Sequence, residues 1–109
     1  MILDTSIVLE KVRRKEEINE NVTSVSLIEY PPLKDYKKFR GKIFFINKED
    51  QIQAVMLQAR LREIGFPMSV GDLLIAAACI NRGEALLTKD KDFLVIQKVE
   101  PRLRIILKN

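Results

Sequence analysis

The sequence predicts an α/β fold, a parallel sheet covered by helices on both faces. Two observations carry this reading. Short runs of apolar and β-branched residues alternate along the chain with stretches of helical period, which is the pattern of strand–helix–strand units. The segment Leu73 to Ala78 is apolar almost all round, so its helix belongs in the interior. Where a parallel sheet forms, ligands bind beyond the carboxyl ends of its strands.

Each element follows from local chemistry. Ile2-Leu3 makes a short buried strand that stops at Asp4. Thr5 or Ser6 then caps a helix carrying Ile7, Val8 and Val12, which runs out into the charged Arg13-Arg14-Lys15-Glu16-Glu17. Asn19-Glu20-Asn21 is a turn, and Val22 to Val25, rich in β-branched residues, reads as a strand. Ser26-Leu27-Ile28-Glu29 has capping-box spacing, so a helix begins there. Pro31-Pro32 bends or ends it, because a residue before proline is pushed out of the helical region. Leu33, Tyr36 and Phe39 continue on one short helical face, and after Gly41 the run Lys42 to Ile46 is the clearest strand. Ile52, Val55, Met56 and Ala59 recur at helical spacing and predict an amphipathic helix over 48–64, with Gly65 at its C′ position. Ser69-Val70-Gly71-Asp72 is a second capping box, opening the apolar helix that ends at Gly83. Ala85 to Thr88 is a strand, Lys89 to Asp92 a polar loop, and Leu103 to Leu107 a final strand; Phe93, Leu94 and Ile96 pack back between them.

Composition narrows the chemistry. A chain of 109 residues fits one domain over 1–109. There is no histidine, which removes Ser-His-Asp and Cys-His nucleophile systems, histidine acid–base pairs and histidine-ligated zinc. The lone Cys79 removes thiolate zinc sites and internal disulfides. Any catalysis must rest on carboxylates, hydroxyls, lysines and arginines. No apolar run approaches the roughly 18 residues of a membrane span, and Met1-Ile2-Leu3-Asp4 lacks the features of a signal peptide. An unpaired cysteine in an apolar helix without an export signal points to the cytoplasm. The net charge of +4 suits a polyanionic partner only weakly.

The acids supply the positive signal. Asp4 ends the first strand, Asp90 and Asp92 follow the strand ending at Thr88, and Asp72 and Glu29 fall in the first turns of helices. Such positions converge on one sheet edge. Bare carboxylates in one place raise one another's pKa and oppose folding, and the usual remedy is a hard divalent cation, Mg²⁺ or Mn²⁺. Carboxylate-held Mg²⁺ is suited to hydrolysing phosphodiesters without histidine. Singly, each acid has an ordinary reading: Asp72 and Glu29 as caps, Asp90 and Asp92 as turn residues. Asp4, directly after a buried strand, is the hardest to read that way. The basic clusters Arg13-Arg14-Lys15, Lys37-Lys38-Arg40-Lys42 and Lys98/Arg102/Arg104/Lys108 either grip phosphates or are solvated faces.

The segments Met1-Ile2-Leu3-Asp4-Thr5-Ser6, Val25-Ser26-Leu27-Ile28-Glu29, Gly71-Asp72-Leu73-Leu74-Ile75-Ala76-Ala77 and Leu87-Thr88-Lys89-Asp90-Lys91-Asp92-Phe93 resemble, in order, the acidic motifs of PIN domains. The likeness is greatest to VapC-type toxins of prokaryotic toxin–antitoxin pairs, and it extends over essentially the whole chain. It implies a three-layer sandwich with a central parallel sheet flanked by helices, and Mg²⁺- or Mn²⁺-dependent cleavage of RNA. It also implies a homodimer and inhibition by a VapB-like antitoxin whose tail enters the acidic groove. Carried over by position, Asp4, Glu29, Asp72 and Asp90 match the acidic quartet. Asp92 matches a further acid, and Thr88 and Ser6 match supporting hydroxyls. The expectation is therefore a metal held by Asp4, Asp72 and Asp90 with help from Asp92. Glu29 orients or deprotonates the attacking water, or holds a second ion. Two departures stand out: the segment between Asp4 and Glu29 is shorter than in most such toxins, and Pro31-Pro32 interrupts a helix the family usually continues.

Three rival readings remain open on the sequence. One is a catalytically inactive PIN-like binding subunit. Another is an RNA-processing or repair nuclease of the same fold without an antitoxin. The third, a receiver-like phosphoacceptor, needs an Asp ending a central strand, whereas the run Ile43 to Ile46 ends in Asn47-Lys48.

Overall fold

The computed structural model describes residues 1–109. In chain order the elements are β1 (Ile2–Leu3), α1 (Thr5–Arg13), β2 (Val22–Thr23), α2 (Ser24–Glu29), a 3-10 helix (Pro31–Asp35), β3 (Ile43–Phe44), α3 (Lys48–Glu63), α4 (Val70–Arg82), β4 (Leu86–Thr88), α5 (Phe93–Val99) and β5 (Ile105–Leu107). Every strand pairing is parallel: Ile2 sits opposite Leu86, Leu86 opposite Ile105, and Val22 opposite Ile43. A parallel bridge between Ile2 and Asn21 joins β1 to the start of β2, so the strands lie side by side as β3-β2-β1-β4-β5.

Alternation along the strands divides the core in two. Ile2 and Leu86 face one way, into a cluster with Leu57, Leu61, Ile75, Ala76, Phe93 and Ile96 from α3, α4 and α5. Leu3 faces the other way, joining Ile7 and Val8 of α1 with Ile18, Val22 and Leu33. This is the expected α/β arrangement, a parallel sheet between helical layers. Parallel strands put their carboxyl ends on one edge, so Asp4, Thr23 and Thr88, which follow or end β1, β2 and β4, share it.

The structure corrects several local expectations. Asp4, rather than Thr5 or Ser6, is the N-cap of α1, its carboxylate accepting from the Thr5 amide. The second strand stops at Thr23 and α2 starts at Ser24, so Ser26 is not a cap and Glu29 is the last residue of α2 instead of lying in its first turn. Tyr30 leaves the helical region before Pro31-Pro32, and the prolines open the 3-10 helix. Leu33, Tyr36 and Phe39 do share one packing face.

The largest correction concerns α3. Its buried face is Asp50, Ala54, Leu57 and Leu61, while Ile52, Val55 and Met56 of the predicted stripe are 46–69% exposed. Two apolar sets of the same period lie on this helix, and periodicity cannot choose between them. Asp50 decides: fully buried, it accepts from Arg82 at 2.8 Å and from Asn81 at 3.0 Å, which locks that side of α3 against α4. Burial disfavours the Asp50 carboxylate, but these bonds and the capping amide of Asn47 outweigh it and hold its pKa low.

Candidate active site

The carboxyl edge of the sheet gathers most of the polar side chains singled out above. Asp4 is 7% exposed. Its carboxylate is held on three sides: the Thr5 amide donates at 2.8 Å, the Thr88 hydroxyl at 2.8 Å and the Ser6 hydroxyl at 3.3 Å. Thr88 is buried at the end of β4, and its oxygen also accepts from the Asp90 amide at 2.9 Å. The Asp92 amide in turn donates to the Asp90 carboxylate at 2.9 Å. A relay of short-range turns thus connects Asp92, Asp90, Thr88 and Asp4, and it explains why a hydroxyl stands two residues before an acid in this loop.

Glu29 reaches the same edge by another route. The Thr5 hydroxyl donates to its carboxylate at 2.6 Å and lies 2.8 Å from the Ser26 hydroxyl, one turn earlier on α2. On the far side, a Cβ added at Gly71 would stand 3.3 Å from a Glu29 carboxylate oxygen. Glu29 therefore lies against the first turn of α4, where Asp72 follows Gly71. The Asp72 amide donates to the Ser69 hydroxyl at 3.3 Å, so Ser69 is the N-cap of α4, and the reciprocal bond from the Ser69 amide to the Asp72 carboxylate that would complete a capping box is not formed. Sequence reading missed Thr5 and Ser26 as parts of the site. The only available signals were their positions, directly after Asp4 and three before Glu29.

The electrostatics follow from this convergence. Burial raises the pKa of Asp4; the bonds from Thr88, Thr5 and Ser6 oppose that, and the charge of Asp90 reinforces it. Burial also raises Asp72, opposed by Ser69 and reinforced by the charges of Asp4, Asp90 and Glu29. The buried acids away from this edge, Asp50 and Glu100, are both neutralised by arginines, whereas Asp4, equally buried, and Glu29, Asp72, Asp90 and Asp92 beside it form no ion pair. The donor set is all oxygen, and the buried Asp4 lacks a cation, which fits a hard divalent ion. As they stand, no three acidic side chains are drawn close enough to hold a metal; their mutual repulsion opposes closer approach.

Two cavities flank this edge. An apolar one of about 360 Å³ lies between α3 and α4, lined by Ile46, Ala54, Val55, Val70, Leu73 and Leu74 among others. The second, about 380 Å³ and entirely polar, opens beside Ser6. Cys79 is a core residue, buried with its thiol pushed up to about 12 by desolvation.

Solved structures share this fold. VapBC2 of Rickettsia felis bound to a promoter DNA fragment is 20% identical, with 99% of this chain and 98% of that one covered at a TM-score of 0.74. DNA-bound VapBC of Salmonella typhimurium is 19% identical, with 96% and 95% covered at 0.79. VapBC-5 of Mycobacterium tuberculosis is 20% identical, with 98% and 97% covered at 0.72. No curated protein matches the chain. The family model for the PIN domain matches residues 34–99, which include Asp72, Thr88, Asp90 and Asp92. That match spans more than half of the sequence, and the chain belongs to the PIN-domain family.

Proposed function

We propose that residues 1–109 form one PIN-type domain that acts as a metal-dependent endoribonuclease, the toxin of a VapBC-type pair. The observation that carries this reading is Asp4: a buried carboxylate, fixed by three donors, in the field of Asp90 and without any cation partner. Such a site suits a nuclease that lacks histidine.

In this reading Asp4, Asp72 and Asp90 hold Mg²⁺ or Mn²⁺, and Asp92 adds a direct or water-mediated contact. The bound ion supplies a water of lowered pKa and stabilises charge on the phosphodiester. Glu29 would orient an attacking water or take its proton, and Thr5 fixes the Glu29 carboxylate for the task. Thr88 and Ser6 keep the Asp4 carboxylate in one orientation, the kind of support on which metal affinity depends. An RNA strand is the substrate. A VapB-like antitoxin and a second copy of the chain are its protein partners; the exposed Ile52, Val55 and Met56 on α3 suit such contacts.

The test is cleavage of RNA with Mg²⁺ or Mn²⁺ by the parent chain and by Asp4→Asn and Asp72→Asn. Both variants should fold, as judged by circular dichroism, and lose at least a hundredfold in rate. Full cleavage by either variant defeats the assignment.

A further inference from the structure

The polar cavity beside the acids is opposite to them in charge. It is lined by Ser6, Glu10, Arg13, Arg14 and Lys89 and by no apolar residue. Two ties fasten it to the acidic edge. Ser6, on its wall, donates to Asp4. Lys89 lies in the chain between Thr88 and Asp90, yet its ammonium turns away from the acids to pair with Glu10. Along α1, Glu10 follows Ser6 by about one turn, ~6 Å at the helical rise, and the arginines follow by roughly another.

Cations outnumber anions in this cavity. The Glu10 carboxylate is shared among Lys89, Arg14 at 3.1 Å and Lys108 at 3.0 Å, and the two lysines, Lys89 first, hold its pKa at about 2. Arg13 is exposed and forms no ion pair or side-chain hydrogen bond. A solvent-open, cation-rich hollow without apolar lining recognises a small multivalent oxyanion, and guanidinium groups match phosphate geometry in particular. A nucleic-acid strand whose one linkage lies at the acids carries its neighbouring phosphates within reach on either side.

Resting on the nuclease reading, we propose that this cavity is a subsite for a backbone phosphate flanking the scissile linkage, gripped by Arg13, Arg14 and Lys89. The acids alone repel a polyanion; cationic side chains about two helical turns along α1 offset that repulsion and set the direction in which the strand crosses the edge. Of the three basic clusters in the sequence, this reading selects the first and joins it to Lys89, which none of them contains.

The experiment is binding of a short fluorescent 2′-O-methyl oligoribonucleotide of mixed sequence in EDTA, measured across a salt series. The double variant Arg13→Ala/Arg14→Ala should bind about tenfold or more weakly and lose ~0.7 in the slope of log K against log salt for each phosphate contact removed. Lys48→Ala/Arg62→Ala removes the same charge from α3, in the other helical layer, and should bind as the parent does. Circular dichroism checks that both variants fold. Unchanged affinity and slope in the arginine variant overturn the subsite, as does equal loss in both variants or no binding by the parent. Poly-glutamate binding as tightly as the oligonucleotide assigns the cavity to an acidic protein segment and also overturns it. If the arginine-dependent binding is found but Mg²⁺ and Mn²⁺ support no RNA cleavage, the nuclease reading fails and the cavity stands as a site for a nucleic-acid backbone phosphate.

Discussion

The hydroxyls beside the acids do separable jobs, and substitutions should separate them. Thr88 serves two partners at once, donating to Asp4 and accepting from the Asp90 amide. Thr88→Val removes one of the three donors to buried Asp4 and takes the acceptor from the Asp90 amide, so stability should fall by about 1–3 kcal/mol and metal affinity by roughly tenfold to a hundredfold; urea unfolding and Mn²⁺ titration measure the two effects. Thr5 is bonded to Glu29 and Ser26 through its side chain. Thr5→Val should therefore lower the cleavage rate about tenfold while Mn²⁺ affinity stays near the parent value, a split that would be absent if Thr5 acted only as a local packing group. That Asp4, Asp72 and Asp90 come to one edge was legible in the sequence, because each stands at or just after a strand end or in a helix's first turn; the part of Thr88 came only from the likeness to the PIN motifs. The role of Thr5 was not legible, since its partner Glu29 lies 24 positions away.

At the scale of elements, α3 shows where periodicity stops being informative. Leu57 and Val55 are both apolar and both on the helix, yet Leu57 is fully buried and Val55 is 69% exposed. Leu57→Ala should lower stability by about 2–5 kcal/mol, and Val55→Ala should change it by no more than about 0.5 kcal/mol; thermal or denaturant melts of the two variants decide. The end of α1 offers a gain instead. Lys15 has φ +56, a left-handed conformation that costs a side chain about 1–2 kcal/mol and glycine nearly nothing. The smaller loss of unfolded-chain freedom in lysine offsets part of this, so Lys15→Gly should stabilise by up to about 1 kcal/mol. Gly41 is the opposite case: an added Cβ would sit 1.8 Å from the Glu20 carbonyl oxygen, a backbone clash that accounts for the break before β3 better than flexibility does. The helices α3 and α4 and the strand ending at Thr88 were legible to within about two residues. The boundary between β2 and α2 was not, because β-branched Val25 leaves the sheet and packs in the helical layer.

For the molecule as a whole, the acids act on stability in two opposed groups. Asp4 and Asp72 have folded pKa values raised above the ordinary 3.8. Their contribution is fully present below that value and is lost as pH rises through their folded values. Glu10 and Glu100, lowered from 4.5 to about 2 by cationic partners, contribute above 4.5 and lose that contribution as pH falls toward 2. Asp72→Asn should therefore be more stable than the parent at neutral pH, with the difference closing below about pH 3.8; denaturation midpoints across pH test the sign. A bound divalent ion should reverse the ranking. At a hundred times its dissociation constant, Mn²⁺ adds about 2.7 kcal/mol to the parent, and it should add almost nothing to Asp4→Asn/Asp72→Asn. Equal shifts in melting temperature for the two would place the ion elsewhere.

The amino-acid sequence by itself determined the α/β class, the absence of histidine chemistry and the placing of four aspartates near strand or helix ends, because all three depend on local periodicity, composition and capping. Only the tertiary structure decided which face of α3 is buried, how Glu29 comes to the site from the far end of its helix, and that Lys89 turns from the acids toward Glu10. Each of these depends on a partner distant in the chain: Arg82 for Asp50, Thr5 for Glu29, and α1 for the loop after β4. No local pattern records such a choice, since the competing arrangements satisfy the same backbone and differ only in which buried charge or hydroxyl finds its counterpart.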